Sequence, residues 1–175
     1  METEVTSFHR ADSATRHDAA RPYADALHAH LSLVETRDKI LLANVPRSSS
    51  AVVQDAFLPF ALEMGFTSEK KGLFDRYEPR NLRPDYYRPL PPDGGILLEV
   101  ERGKTTRNNM DLLDLWKTHI CDHADVLFLV VPRELRHNKE QVRPTNEFAS
   151  VCKRLGTFFE AGNETNVAAL FVFGY

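Results

Sequence analysis

Four residues carry the chemistry that this sequence suggests: Asp85, Glu99, Glu101 and Lys104. In the run ILLEVE, residues 96–101, Ile96, Leu98 and Val100 alternate with Leu97, Glu99 and Glu101. A strand turns successive side chains to opposite faces, so two acids share one face with Leu97. Residues two apart on a strand stand about 6–7 Å apart at Cα, near enough for both carboxylates to lean onto one divalent cation or a close pair of them. Without a cation, such crowding drives one carboxylate toward its protonated form. Asp85 lies on the preceding strand-like segment, across the turn PLPPDGG at residues 89–95. If the two strands pair, Asp85 comes close to Glu99. Three carboxylates suit Mg2+, or Mn2+ in its place, because these cations take oxygen ligands.

Lys104 follows the end of that strand, in RGKTTRNN. Arg102, Lys104 and Arg107 surround the acids, and cations beside such a cluster suit a phosphate ligand, whose developing charge they stabilise. Between residues 70 and 107 there are nine Lys or Arg and six Asp or Glu, so this stretch is +3 and the rest of the chain is −6. Tyr86 and Tyr87 fall within it, and aromatics among basic residues are compatible with nucleic acid.

These residues need elements to hold them. Residues 1–20 are polar and patternless and are expected to form a flexible tail, followed by one domain over residues 21–175. Tyr23, Leu27 and Leu31 follow helical spacing, whereas residues 39–45 give no secure assignment. Ser48 to Ser50 offer N-caps for a helix over residues 51–64, with Val53, Phe57, Phe60, Ala61 and Met64 inward, Pro59 as a candidate kink and Gly65 as its stop. Strands are expected over residues 66–74, 82–87 and 96–101. A helix over residues 108–121 follows, with Leu113, Trp116 and Ile120 on one face, Asp111 in its first turn and Lys117 and His119 in its last. Residues 126–131, VLFLVV, read as a strand buried on both faces. A helix over residues 145–160 and a strand over residues 167–173 complete an α/β fold, a mixed sheet with helices on both faces.

Composition narrows the classes. The chain has 175 residues, 42% of them hydrophobic and 27% charged, with a formal net charge of −3. That excludes a globally basic nucleic-acid coat and leaves room for a local basic groove. No apolar run approaches the roughly 20 residues of a membrane span, and METEVTSFHR has no signal-like apolar segment, so a cytoplasmic location is expected. Cys121 and Cys152 lack disulfide or CxxC spacing and read as small core residues. The seven histidines are scattered, His28 and His30, two apart, face different ways on a helix, and Cys121-Asp122-His123 is at most half of a zinc site.

Arg83-Pro84-Asp85, then Glu99-Val100-Glu101, then an amphipathic helix and an apolar strand, resemble the PD-(D/E)XK nuclease superfamily, with its restriction-endonuclease-like fold, over residues 50–131. The resemblance implies that Asp85 is the acid of the PD element and Glu99 the first acid of the second element. Glu101 falls where that family usually has Lys, and some restriction enzymes carry Glu there. Lys104 is three residues further on and could stand in for the lysine. Glu63 loosely matches the acid that many members carry on their first core helix. The implied function is Mg2+-dependent hydrolysis of nucleic-acid phosphodiesters, DNA first, in a restriction, defence or repair setting. Asp85, Glu99, Glu101 and Glu63 would be the metal ligands, Glu101 or Lys104 would handle the attacking water, and Arg83, Arg102, Arg107 and Asn108 would contact the backbone. Specificity would come from a homodimer or from a partner protein.

Plainer readings stand beside these. Pro-Asp is a common turn signal, and alternating Glu is often a solvated face. Arg102, Lys104 and Arg107 suit a solvated loop, Trp116 a core or groove wall, and Glu63 the solvent. The family also contains members without activity, so the alternative is a nucleic-acid-binding or assembly module that keeps the fold. A metal-dependent hydrolase of small phosphate esters is a third reading, and it requires a closed pocket.

Overall fold

The computed structural model describes residues 3–43, 50–68, 83–103, 105–135 and 144–175. Two strands buried along their whole length set the architecture: β4 (Gly95–Val100), apolar but for Glu99, and β5 (Val126–Val131), wholly apolar. They pair in parallel, Ile96 with Val126 through Val100 with Val130. A parallel pair needs a crossover, and α4 (Met110–Ile120) supplies it. β8 (Ala169–Gly174) pairs in parallel with the other side of β5, reached through α5 (Glu147–Gly156).

Three antiparallel strands extend this centre. β3 (Tyr86–Pro89) pairs with β4, β2 (Thr67–Ser68) with β3, and β1 (Glu4–His9) with β8. The sheet order is β1-β8-β5-β4-β3-β2, and a separate two-stranded ribbon joins β6 (Glu134–Leu135) to β7 (Thr145–Asn146). The turn between β3 and β4 carries a cis Pro91-Pro92 bond.

Strand alternation divides the core in two. Ile96, Leu98, Val100, Phe128 and Phe171 face α1 (Ala14–Ser32), α2 (Val34–Ala43) and α3 (Ser50–Glu63). Leu97, Leu127, Leu129, Leu170 and Val172 face α4 and α5, together with Leu115, Val151 and Leu155. Helices thus flank both faces of a mixed sheet, as the strand and helix pattern predicts.

Several expectations are corrected. Residues 4–9 are not a flexible tail: they form an edge strand paired with β8 from Glu4–Gly174 to His9–Ala169, and α1 begins at Ala14. Residues 39–43 close the helix α2. The second predicted strand sits later, at Tyr86–Pro89; of the first, residues 66–68 are described, with Thr67–Ser68 in a strand, and residues 69–74 lie outside the described residues. α3 runs through Pro59 and ends before Gly65, whose φ of +77° suits glycine. No helix among the described residues is long and apolar enough to cross a membrane.

Candidate active site: an acid cluster around Lys117

The register of β3 on β4 pairs Tyr86 with Leu98, and continued by one residue it sets Asp85 opposite Glu99. The Asp85 N–H donates to Glu99 Oε2 at 3.2 Å, and the Val100 N–H donates to Asp85 Oδ2 at 2.8 Å. Gln54 on α3 donates to Asp85 Oδ1 at 2.5 Å. The two acids are therefore neighbours at the end of the β3–β4 ladder, each carboxylate accepting from a backbone N–H, with that of Asp85 also tied to α3 through Gln54. Glu99 is 3% exposed and lies on the α4 side of β4, as the alternation in ILLEVE predicts.

Lys117 on α4 closes the cluster. Its Nζ donates to Glu99 Oε1 at 2.8 Å, to Asp114 Oδ1 at 2.9 Å and to the Arg83 carbonyl at 3.5 Å. Lys117 is 6% exposed and Asp114 0%. The spacing Asp114-x-x-Lys117 puts both on one helix face, one turn apart. That face is not the expected one. Asp111, Asp114, Leu115, Lys117 and Thr118 point inward, whereas Trp116 is 42% exposed and Leu113 and Ile120 are half-buried. Lys117 is thus no mere complement to the helix C-terminus; it neutralises buried acids. Lys117, Asp114 and Gln54 are the site residues missed by reasoning from the sequence. The available signal was three charged residues, Asp111, Asp114 and Lys117, at helical spacing beside Leu115 and Thr118.

The electrostatics follow from burial. Burial raises Asp85, against the Val100 N–H, Lys117 and Gln54. Burial pushes Glu99 well up, with the Asp114 and Asp85 charges adding to it and Lys117 opposing. Asp114 is pushed up to about 6 by burial, and Glu101 to about 8 by burial and the nearby Asp114 and Asp85 charges. Burial pulls Lys117 down, but Glu99 and Asp114 more than offset this and hold it protonated. Among the described residues the cluster sets four acids against this one ammonium, and Asp114 Oδ2 is buried without a hydrogen-bond partner. The donor set fits a divalent cation: hard carboxylate oxygens that outnumber the one ammonium. Among the described residues no three ligating side chains form a ready metal-holding group. The adjacent Asp85 and Glu99 are the residues that could hold such a cation, and Mg2+ commonly uses one or two carboxylates and keeps its waters.

The remaining predicted residues divide. Glu63 is exposed at the far end of α3, where its charge acts on His30. Gln54, nine residues earlier or about 13 Å along the axis, is the α3 residue that reaches Asp85, so Glu63 is not part of the cluster. Lys104 lies outside the described residues. Arg83, Arg107 and Asn108 are exposed, and Arg102 is half-buried. Tyr86 is buried with its hydroxyl on the Gln54 carbonyl, and the Tyr87 hydroxyl donates to the His123 carbonyl, so Tyr86 offers no stacking surface. Cys121 is buried, as expected of a core residue, and Cys152 is half-buried. The turn before α4 is clamped by α5: Glu147 Oε1 accepts from the Thr106 N–H at 2.8 Å, and Arg154 reaches Asp111, Asn109 and the Thr106 carbonyl.

Neither a known protein-family model nor a curated protein sequence matches the chain.

Proposed function

We propose that this chain is a metal-dependent nuclease of the PD-(D/E)XK type, hydrolysing phosphodiester bonds of nucleic acid, DNA first. One observation carries the reading: Asp85 and Glu99 adjoin at the end of an antiparallel strand pair, with the ammonium of Lys117 on Glu99 at 2.8 Å. That supplies two acids and a lysine, the chemistry the resemblance calls for, with the lysine on the following helix. Asp85 and Glu99 would hold Mg2+ or Mn2+. A cation there lowers the pKa of bound water and screens the phosphate charge. Lys117 offers its charge to the phosphate oxygens. Glu101, held up near 8, is suited to accept a proton from the attacking water. Arg83, Arg102, Arg107 and Asn108 are the candidate backbone contacts, giving affinity without sequence information. Specificity would then come from a homodimer or a partner protein.

The burial of the Lys117–Glu99 pair, with side chains 7% and 4% exposed, favours a second reading. An ammonium standing where a cation could sit suits a nucleic-acid-binding or assembly module that has no turnover. Cleavage assays in Mg2+ and Mn2+ on duplex and single-stranded DNA and RNA, beside Mn2+ titration, separate the two. The nuclease reading expects cleavage that falls by roughly 10²-fold or more in Asp85→Ala and in Lys117→Ala. Nucleic-acid binding with neither cleavage nor Mn2+ binding gives the second reading.

A further inference from the structure

We propose that Asp114 is a positioning residue of this site: it keeps Lys117 in place while Glu99 turns to a divalent cation, and so frees one N–H of Lys117 for a phosphate oxygen. The inference rests on the nuclease reading and adds a residue that the motif does not contain.

An ammonium has three N–H donors. Those of Lys117 meet three acceptors: Glu99 Oε1 at 2.8 Å, Asp114 Oδ1 at 2.9 Å and the Arg83 carbonyl at 3.5 Å. The two carboxylates are held differently. Glu99 comes from β4, and its other oxygen accepts from the Asp85 N–H. Asp114 shares a helix with Lys117, one turn earlier, and its own carbonyl accepts from Thr118 Oγ1 at 3.1 Å. The start of that helix is tied to α5 through Asp111 and Arg154. Asp114 thus keeps its place beside Lys117 whatever Glu99 does. Its second oxygen, buried and without a partner, gives it spare acceptor capacity.

A divalent cation on Glu99 repels an ammonium on the same carboxylate. With Asp114 present, Lys117 keeps a charged acceptor and the Arg83 carbonyl, and only the Glu99 contact is given up. With Asp114 neutral, Glu99 is the one carboxylate in contact with a buried ammonium, and a cation must compete for it.

Isothermal titration of the full chain with Mn2+ tests this, using wild type, Asp114→Asn, Lys117→Met and the double variant. Asp114→Asn should weaken Mn2+ binding by roughly tenfold, and this loss should vanish in the Lys117→Met background. Asp114→Glu, which keeps the charge, should restore most of the affinity. An equal loss in both backgrounds makes Asp114 a direct ligand and overturns the proposal, as does no loss in Asp114→Asn. Wild type that takes up Mn2+ through Asp85 retains the nuclease reading even when Asp114 fails. Wild type that binds no Mn2+ overturns both. A crystal structure with Mn2+ needs no variant: Lys117 should remain on Asp114 with Glu99 on the metal, and Asp114 itself on the metal overturns the assignment.

Discussion

Lys117 Nζ lies 2.8 Å from Glu99 Oε1, so two residues eighteen apart in sequence join a helix to a strand through a buried ion pair. Each partner alone is a poor core residue. Together with Asp114 they convert the inner face of α4 from an apolar stripe into a charged one. Replacing Lys117 alone strands two buried acids, whereas replacing Glu99 as well leaves only Asp114 without its cation.

Lys117→Met tests this asymmetry. It keeps most of the volume but leaves Glu99 and Asp114 without a cation, and urea denaturation at neutral pH should show a loss of about 3 kcal/mol. Adding Glu99→Gln should recover a substantial part of that loss. A double variant that is destabilised by the sum of the two single changes would mean that the pair is not coupled.

His17 gives the fold a dependence on acid that is independent of the site. It is buried between α1 and the sheet, with its ring stacked on Phe171 and 4.7 Å from that of His9. Its Nε2 bonds Ser7 Oγ at 3.0 Å and accepts from Arg21 at 3.3 Å, and Asp18 lies on the other nitrogen at 3.4 Å. A nitrogen that accepts from a guanidinium is unprotonated, and burial lowers the His17 pKa below its ordinary 6.5, against the pull of Asp18. The unfolded chain therefore binds the proton first. The stability contributed by neutral His17 is complete above about pH 6.5 and is lost as pH falls through that value and below. Denaturation curves between pH 7.5 and 5 should show a smaller loss in His17→Gln than in wild type; equal slopes would refute the assignment.

How far the sequence reveals all this depends on how local each signal is. β5 is legible to the residue because six apolar residues in a row leave only a doubly buried strand. Glu99 is legible because its alternation with Leu98 and Val100 assigns it a face. The inner face of α4 is not, because two stripes compete: Leu113, Trp116 and Ile120 on one side, and Leu115 and Thr118 on the other with three charged residues. Hydrophobicity favours the first, and only the distant Glu99 and Arg154 make the second affordable. β1 is hidden for a related reason. EVTSFH is short and mixed, and it becomes a strand through β8 at the opposite end of the chain. Glu63 matches the family's helix acid only by resemblance, and the phase of α3 presents Gln54 to Asp85 instead.

Arg154 should prove structural at the same depth. Its guanidinium reaches both oxygens of the fully buried Asp111, the Asn109 side chain at 3.0 Å and the Thr106 carbonyl at 3.0 Å. It ties α5 to the first turn of α4, where Asn109 has a positive φ of 56°. Because the Arg154 side chain is itself about one-third exposed, solvent weakens the pair. A double-mutant cycle of Arg154→Met with Asp111→Asn should give a coupling of about 1–2 kcal/mol in thermal or urea unfolding. Additive effects would show that the clamp contributes only through its separate contacts.

Lys117 and the exposed polar residues of the turn before α4 should separate by kinetics. Lys117 is buried on Glu99, whereas Arg107 and Asn108 are exposed on the turn that Glu147 and Arg154 hold in place. A phosphate bound by exposed residues is held through charge that salt screens, and each lost contact should reduce the slope of log affinity against log salt by about one. Arg107→Ala should therefore weaken nucleic-acid binding and flatten its salt dependence, while turnover at saturating substrate stays intact. Asn108→Ala, which removes no charge, should weaken binding with the slope unchanged. Lys117→Ala should do the opposite, lowering turnover by roughly 10²-fold with little change in the salt slope, as expected of a preorganised charge near the reacting phosphate. Lys104, which precedes the same turn in sequence, is assigned by the same pair of measurements. A Lys104→Ala protein that behaves as Arg107→Ala joins the backbone contacts. One that loses turnover at saturation, while Lys117→Ala keeps it, would return the catalytic charge to Lys104 and leave Lys117 as a structural counter-ion for Glu99 and Asp114.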